Sequence, residues 1–133
     1  MSMPDTLLLD THVALWAVTD DARLGKEARQ LIANPRHIVH ASVVSLWEIV
    51  IKHAVKPVAM PVSGEEAETY FQAAGYQSLP VTAAHVLAVA GLPAIHQDPF
   101  DRLLVAQAQT DQLLLLTADS QVLRYPGVVD ATR

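Results

Sequence analysis

A chain of 133 residues is sized for one domain, and its formal charge of −5 argues against a broad basic surface that grips nucleic acid by charge alone. With no cysteine it can form no disulfide, no zinc–thiolate site and no thiol nucleophile. Apolar residues make up 51% of the chain but aromatics only 5%, so the core must come mainly from Leu, Val, Ile and Ala.

The opening Met1-Ser2-Met3-Pro4-Asp5 lacks the basic region of a secretory leader. No apolar run approaches the roughly 20 residues that span a bilayer. The expectation is a soluble, cytoplasmic protein forming a single domain over residues 1–133.

In chain order, residues 6–9 form an apolar run that predicts a first strand, with a helix over 12–18 directly after it. A second helix is expected over 25–33, stopped at Asn34-Pro35, and a short strand over 37–40. Ser42 is a fitting N-cap for a helix over 43–55, and Pro57 and Pro61 forbid its continuation. Ser63 opens another helix to residue 74, followed by a short strand over 77–79. Thr82 caps a helix that ends near Gly91. Asp98-Pro99 reads as N-cap and first turn of a helix to about residue 110. Residues 113–116 form a continuous apolar strand, 120–123 a short helix and 128–129 a final short strand.

Strands alternating with helices give an α/β fold. The form expected is a three-layer α/β/α sandwich around a short, mostly parallel central sheet. The strand order stays open at this point. Ligands of such sheets bind beyond the carboxyl ends of the strands. Asp10 directly follows the first strand, and Asp119 follows the strand ending at Leu116. Asp101 lies in the first turn of the helix opened by Asp98. Glu48 stands inside the apolar run 43–51, where a carboxylate needs a nearby cation, either Lys52 one turn on or a metal ion. Acids gathered at one strand edge suit a hard divalent cation such as Mg²⁺ or Mn²⁺.

Each of these residues also has a structural reading. Asp10, Asp98 and Asp119 are good helix caps. Asp101 complements a helix dipole. Glu48 and Lys52 form an ordinary i,i+4 pair. Arg102 either pairs locally or steadies a phosphate, and Thr11 and Thr117 are divided between turn and site. His12, His85 and His96 lack ligand spacing and read as non-metal residues, although His96 precedes the candidate site closely enough to touch substrate.

Four blocks resemble the PIN-domain ribonucleases. They are residues 7–12, residues 42–52, residues 96–108 with their His-Gln-Asp-Pro-Phe-Asp-Arg run, and residues 115–119. Their order and spacing are similar to the VapC toxins of type II toxin–antitoxin systems. The resemblance implies a PIN-like fold and an endoribonuclease dependent on Mg²⁺ or Mn²⁺, aimed at tRNA or rRNA. It also implies a homodimer silenced by a cognate VapB-like antitoxin. It assigns Asp10, Glu48, Asp101 and Asp119 as catalytic and metal-binding acids, with Asp98 a further candidate ligand. Arg102, Lys52, Thr11 and Thr117 are candidates for substrate binding. The rival readings are a catalytically inactive PIN-like partner-binding module and a nuclease of another nucleic acid. A haloacid-type phosphatase is disfavoured, because His12 stands where its second Asp would be.

Overall fold

A computed structural model describes residues 6–133. The expectation about the leader rests on residues 1–5, which lie outside the described residues. The strands are β1 (Thr6–Leu9), β2 (Ile38–Ser42), β3 (Gln77–Leu79), β4 (Leu114–Thr117) and β5 (Val128–Asp130). The α-helices are α1 (Thr11–Thr19), α2 (Lys26–Ala33), α3 (Val43–Val55), α4 (Gly64–Ala73), α5 (Ala83–Ala88) and α6 (Pro99–Asp111). Helices on both faces of the sheet give the expected three-layer α/β/α arrangement.

The sheet order is β3-β2-β1-β4-β5, and all four pairings are parallel. The chain first winds outward from β1 to β3 and then returns to the other side of β1 with β4 and β5. The switch point therefore lies between β1 and β4, which the sequence alone did not order.

Strand alternation divides the core. Leu7, Leu9, Val39, Ala41 and Leu116 pack on one face with residues of α1, α2 and α4. Leu8 and Leu115 point the other way, against Leu104, Val105 and Ala108 of α6. Burial on both faces explains why β1 and β4 read as unbroken apolar runs rather than alternating ones. Helix α3 serves both sides, sending Ile49 to the first cluster and Val44 to the second.

Several boundaries differ from expectation. Strand β2 runs on to Ser42, so the strand feeds straight into the cap of α3. Helix α1 ends at Asp20 in the left-handed region (φ 53°), with no glycine to signal the stop. The last helical turn is a 3₁₀ turn over Val122–Arg124, later than the helix expected over 120–123. Among the described residues, no helix is long and apolar enough to cross a membrane.

Two packing details hold the frame. Gly25 caps α2 without a side chain, and the Arg133 carbonyl accepts from the Ala28 N–H at 3.0 Å. A Cβ at Gly25 would lie 2.2 Å from the Arg133 backbone, so the close approach requires glycine. On the other face, the Ser42 hydroxyl accepts from the Val44 N–H and donates to Gln107 Oε1 at 2.6 Å. That buried bond ties the start of α3 to the middle of α6.

Candidate active site

The crevice beyond β1 and β4 is where the topology places a ligand. The Asp10 N–H donates to the Leu116 carbonyl at 3.0 Å, which extends the β1–β4 pairing one residue past the strand. Asp10 then caps α1, its Oδ1 accepting from the Val13 N–H at 2.9 Å. Its other oxygen, Oδ2, accepts from the hydroxyl of Thr117 at the end of β4. The Thr117 hydroxyl in turn accepts from the Asp119 N–H at 3.1 Å. One threonine thus sets the positions of two acids. Burial pushes the Asp10 carboxyl above its ordinary range, against the downward pull of the bonds from Thr117 and Val13.

Glu48 is buried in α3 with its carboxylate aimed at the same crevice. The Thr11 hydroxyl donates to Glu48 Oε1 at 2.5 Å, and the Ser45 hydroxyl bonds to Thr11 at 3.0 Å. The Lys52 ammonium, one turn on, pairs with Glu48 Oε2. Burial would lower the Lys52 pKa, but the pair with Glu48 outweighs it and holds the ammonium above its ordinary value. The buried charge is held by one cation, the nearer of the two partners the sequence offers, and by one hydroxyl.

The third contribution comes from the start of α6. Asp98 Oδ1 accepts from the N–H groups of Phe100 and Asp101, at 2.9 and 3.1 Å, making it the cap. Asp101, in the first turn, faces the crevice. Burial, followed by the charges of Asp98, Glu48 and Asp10, pushes its carboxyl up to about 7. Asp119 behaves differently. Its partial burial acts upward, but bonds from the Val122 and Gln121 N–H groups and from His96 outweigh it, and the carboxyl falls below its ordinary range. His96 stands between the two acids, with Nε2 at 3.1 Å from Asp101 Oδ2 and 3.4 Å from Asp119 Oδ2.

These residues line one cleft of about 330 Å³, which gathers Asp10, Glu48, Asp98, Asp101 and Asp119 with Thr11, Lys52, His12, His96 and Trp16. The family profile of the PIN domain matches residues 7–128. The chain belongs to the PIN-domain family. A comparison of the sequence with curated proteins gives no match. Among solved structures, the chain is similar to the VapBC2 complex from Rickettsia felis bound to a DNA fragment of its promoter. That match has a TM-score of 0.65 at 13% identity and covers 93% of this chain and 96% of the other. A toxin–antitoxin complex from Klebsiella pneumoniae matches with a TM-score of 0.59 at 16% identity, covering 94% and 97%. At such identities the two structures speak for the fold.

The PIN-domain cleft fits a divalent cation by its donors. It offers carboxylate oxygens from four separate segments, no thiolate, and a surplus of negative charge that Lys52 only partly offsets.

Two expected substrate-binding residues fall elsewhere. Arg102 does not line the cleft. Its Nη1 donates to the carbonyls of Pro93 and His96 and to the Tyr125 hydroxyl, and its Nη2 to the Val89 carbonyl. The guanidinium is spent on pinning the loop ahead of α6. Thr117 is fully buried, its hydroxyl bonded to Asp10 and to the Asp119 N–H. Thr11 and Lys52 do line the cleft, but both are already bonded to Glu48.

Sequence reasoning missed Ser45, Gln107 and Tyr125. The one usable signal was Gln107, a large polar side chain in the apolar run 103–108. Tyr125 gave none, since its hydroxyl reaches across the fold to the Pro93 carbonyl at 3.1 Å.

Proposed function

We propose that this PIN-domain protein is a VapC-type toxin, an endoribonuclease that hydrolyses RNA phosphodiester bonds with the help of Mg²⁺ or Mn²⁺. The observation that carries the reading is the convergence of Asp10, Glu48, Asp98, Asp101 and Asp119 on one cleft at the topological switch point. PIN domains are generally nucleases, which supports the reaction class.

Asp10, Glu48, Asp101 and Asp119 would hold the cation, with Asp98 behind them as the cap of α6. A bound divalent cation acidifies water and neutralises charge on the phosphate. The chain's own residues do the rest. Thr117 fixes Asp10 and Asp119, while Thr11 and Lys52 fix Glu48, so the carboxylates are aimed before substrate arrives. Glu48 would hold an ion or orient the attacking water. The half-exposed Lys52 ammonium brings positive charge to the scissile phosphate. Water adds at phosphorus, the P–O ester bond breaks and the proton the water gives up ends on the leaving oxygen, leaving one phosphate monoester and one hydroxyl end.

The partner reading is a VapB-like antitoxin. It is supported by an apolar groove of about 450 Å³ lined by Ile51, Val55, Ala59 and Met60, which shares His12 and Lys52 with the acidic cleft. The solved relatives are themselves toxin–antitoxin complexes. We also read a cytoplasmic homodimer, which the exposed stripe Val43, Trp47 and Val50 on α3 would suit.

The test is incubation of RNA and DNA oligonucleotides with the purified protein in Mg²⁺, Mn²⁺ or EDTA, alongside Glu48→Gln. RNA alone should be cut, only with cation present, and at least 100-fold more slowly by the variant. Cleavage that survives both EDTA and the substitution would refute the reading.

A further inference from the structure

We infer that His96 is a positioning residue whose ring N–H competes with the divalent cation for Asp101 and Asp119 instead of joining them as a ligand. The inference rests on the proposed cation-dependent function. His96, Asp101 and Asp119 each offer one ligand atom within 4.8 Å of the others, which at first sight makes the histidine a third metal ligand. The other ring nitrogen argues against that. His96 Nδ1 accepts from the Asp98 N–H at 3.0 Å. A singly protonated ring that accepts at Nδ1 carries its hydrogen on Nε2, the atom that faces the acids.

A ligating histidine normally has the opposite arrangement. It donates its remote N–H to a carboxylate or carbonyl and turns a bare nitrogen to the metal. Here the remote nitrogen meets a donor, and the near one presents N–H. That N–H is hydrogen-bonded to Asp119 Oδ2 and lies beside Asp101 Oδ2, so it engages two of the acids that would hold the cation.

The surroundings hold the ring in that place. The His96 N–H donates to the Tyr125 hydroxyl at 3.1 Å, and its carbonyl accepts from Arg102 Nη1 at 3.1 Å. The Asp98 N–H that fixes the ring belongs to the residue that caps α6, so the histidine and the first turn carrying Asp101 are set by one piece of backbone. The side chain is only 14% exposed and projects into the cleft wall rather than into solvent.

The experiment is calorimetric titration of Mn²⁺ and Mg²⁺ into the full chain, its His96→Ala variant and the donor-retaining His96→Gln variant. ¹⁵N spectra of the histidine rings accompany it. Losing one net hydrogen bond to a carboxylate should tighten cation binding about fivefold in H96A. H96Q should stay near the parent value. The ion-free parent should show the Nε2–H form of His96, and Mg²⁺ should shift that resonance. Weaker binding by H96A would make the histidine a ligand and overturn the inference. Unchanged affinity, or an Nδ1–H ring, would overturn it equally. A parent chain that binds neither ion would instead defeat the proposed function, and this inference with it.

Discussion

Asp101→Asn should make the ion-free protein more stable while disabling the nuclease. In the fold, burial and three neighbouring carboxylates raise the Asp101 carboxyl from 3.8 to about 7. The folded value lies above the unfolded one. The contribution to stability is therefore fully present below pH 4 and is lost as pH rises through 7. A rise of about three pH units, at about 1.36 kcal/mol each, amounts to a cost of about 4 kcal/mol at pH 8.5 and about 2 kcal/mol at pH 5.5. The side chain keeps 19% of its surface exposed, so solvent screening trims both figures. An amide cannot ionise and escapes the cost, yet it can still accept a hydrogen bond from His96. The assay is urea unfolding of parent and D101N in EDTA at both pH values. D101N should be the more stable protein at each pH, with the larger margin at pH 8.5. Adding Mn²⁺ at pH 8.5 should raise the parent's midpoint and leave that of D101N almost unmoved. A D101N protein less stable than its parent at pH 8.5 in EDTA would refute the reasoning, because the carboxylate would then be favourably held without an ion.

Thr117→Val preserves shape but removes the hydroxyl between Asp10 and the Asp119 N–H. It should cost about 2–3 kcal/mol in chemical denaturation and lower RNA cleavage at least tenfold, and parent-like values would show the hydroxyl to be idle. Arg102→Lys cannot reproduce a fork serving four acceptors, so it should cost about 1–2 kcal/mol and speed amide exchange over residues 89–96. Its KM for RNA should be unchanged; a raised KM at full stability would return Arg102 to substrate binding. Gly25→Ala drives a Cβ to 2.2 Å from the Arg133 backbone and should cost about 1–3 kcal/mol by thermal unfolding. Full stability of that variant would mean the contact is absent in solution.

The elements were legible because their signals are local. Capping residues such as Ser42, Ser63, Thr82 and Asp98 stand where helices start, and apolar runs mark strands buried on both faces. What stayed illegible depends on partners distant in sequence. Nothing near Leu9 says that β4, far along the chain, lies on the side of β1 away from β2. Arg102 next to Asp101 reads naturally as a phosphate ligand, yet its guanidinium reaches back to carbonyls 9 and 13 residues upstream. His96 sits in a loop without periodicity, and only the Asp98 N–H on its far nitrogen reveals which way its hydrogen points.

For the acids of this cleft, capping a helical turn and serving the site are not alternatives. Asp10 and Asp119 each spend Oδ1 on the N–H groups of a following turn and keep Oδ2 for a second partner. The capping bond fixes the side-chain torsions, so it aims the other oxygen instead of consuming it. A carboxylate held in that way loses less conformational entropy when it meets a ligand. Two of the acids at this edge of the sheet are therefore preorganised by the same bonds that start their helical turns. Removing a cap here should disturb cation binding more than it disturbs the helix.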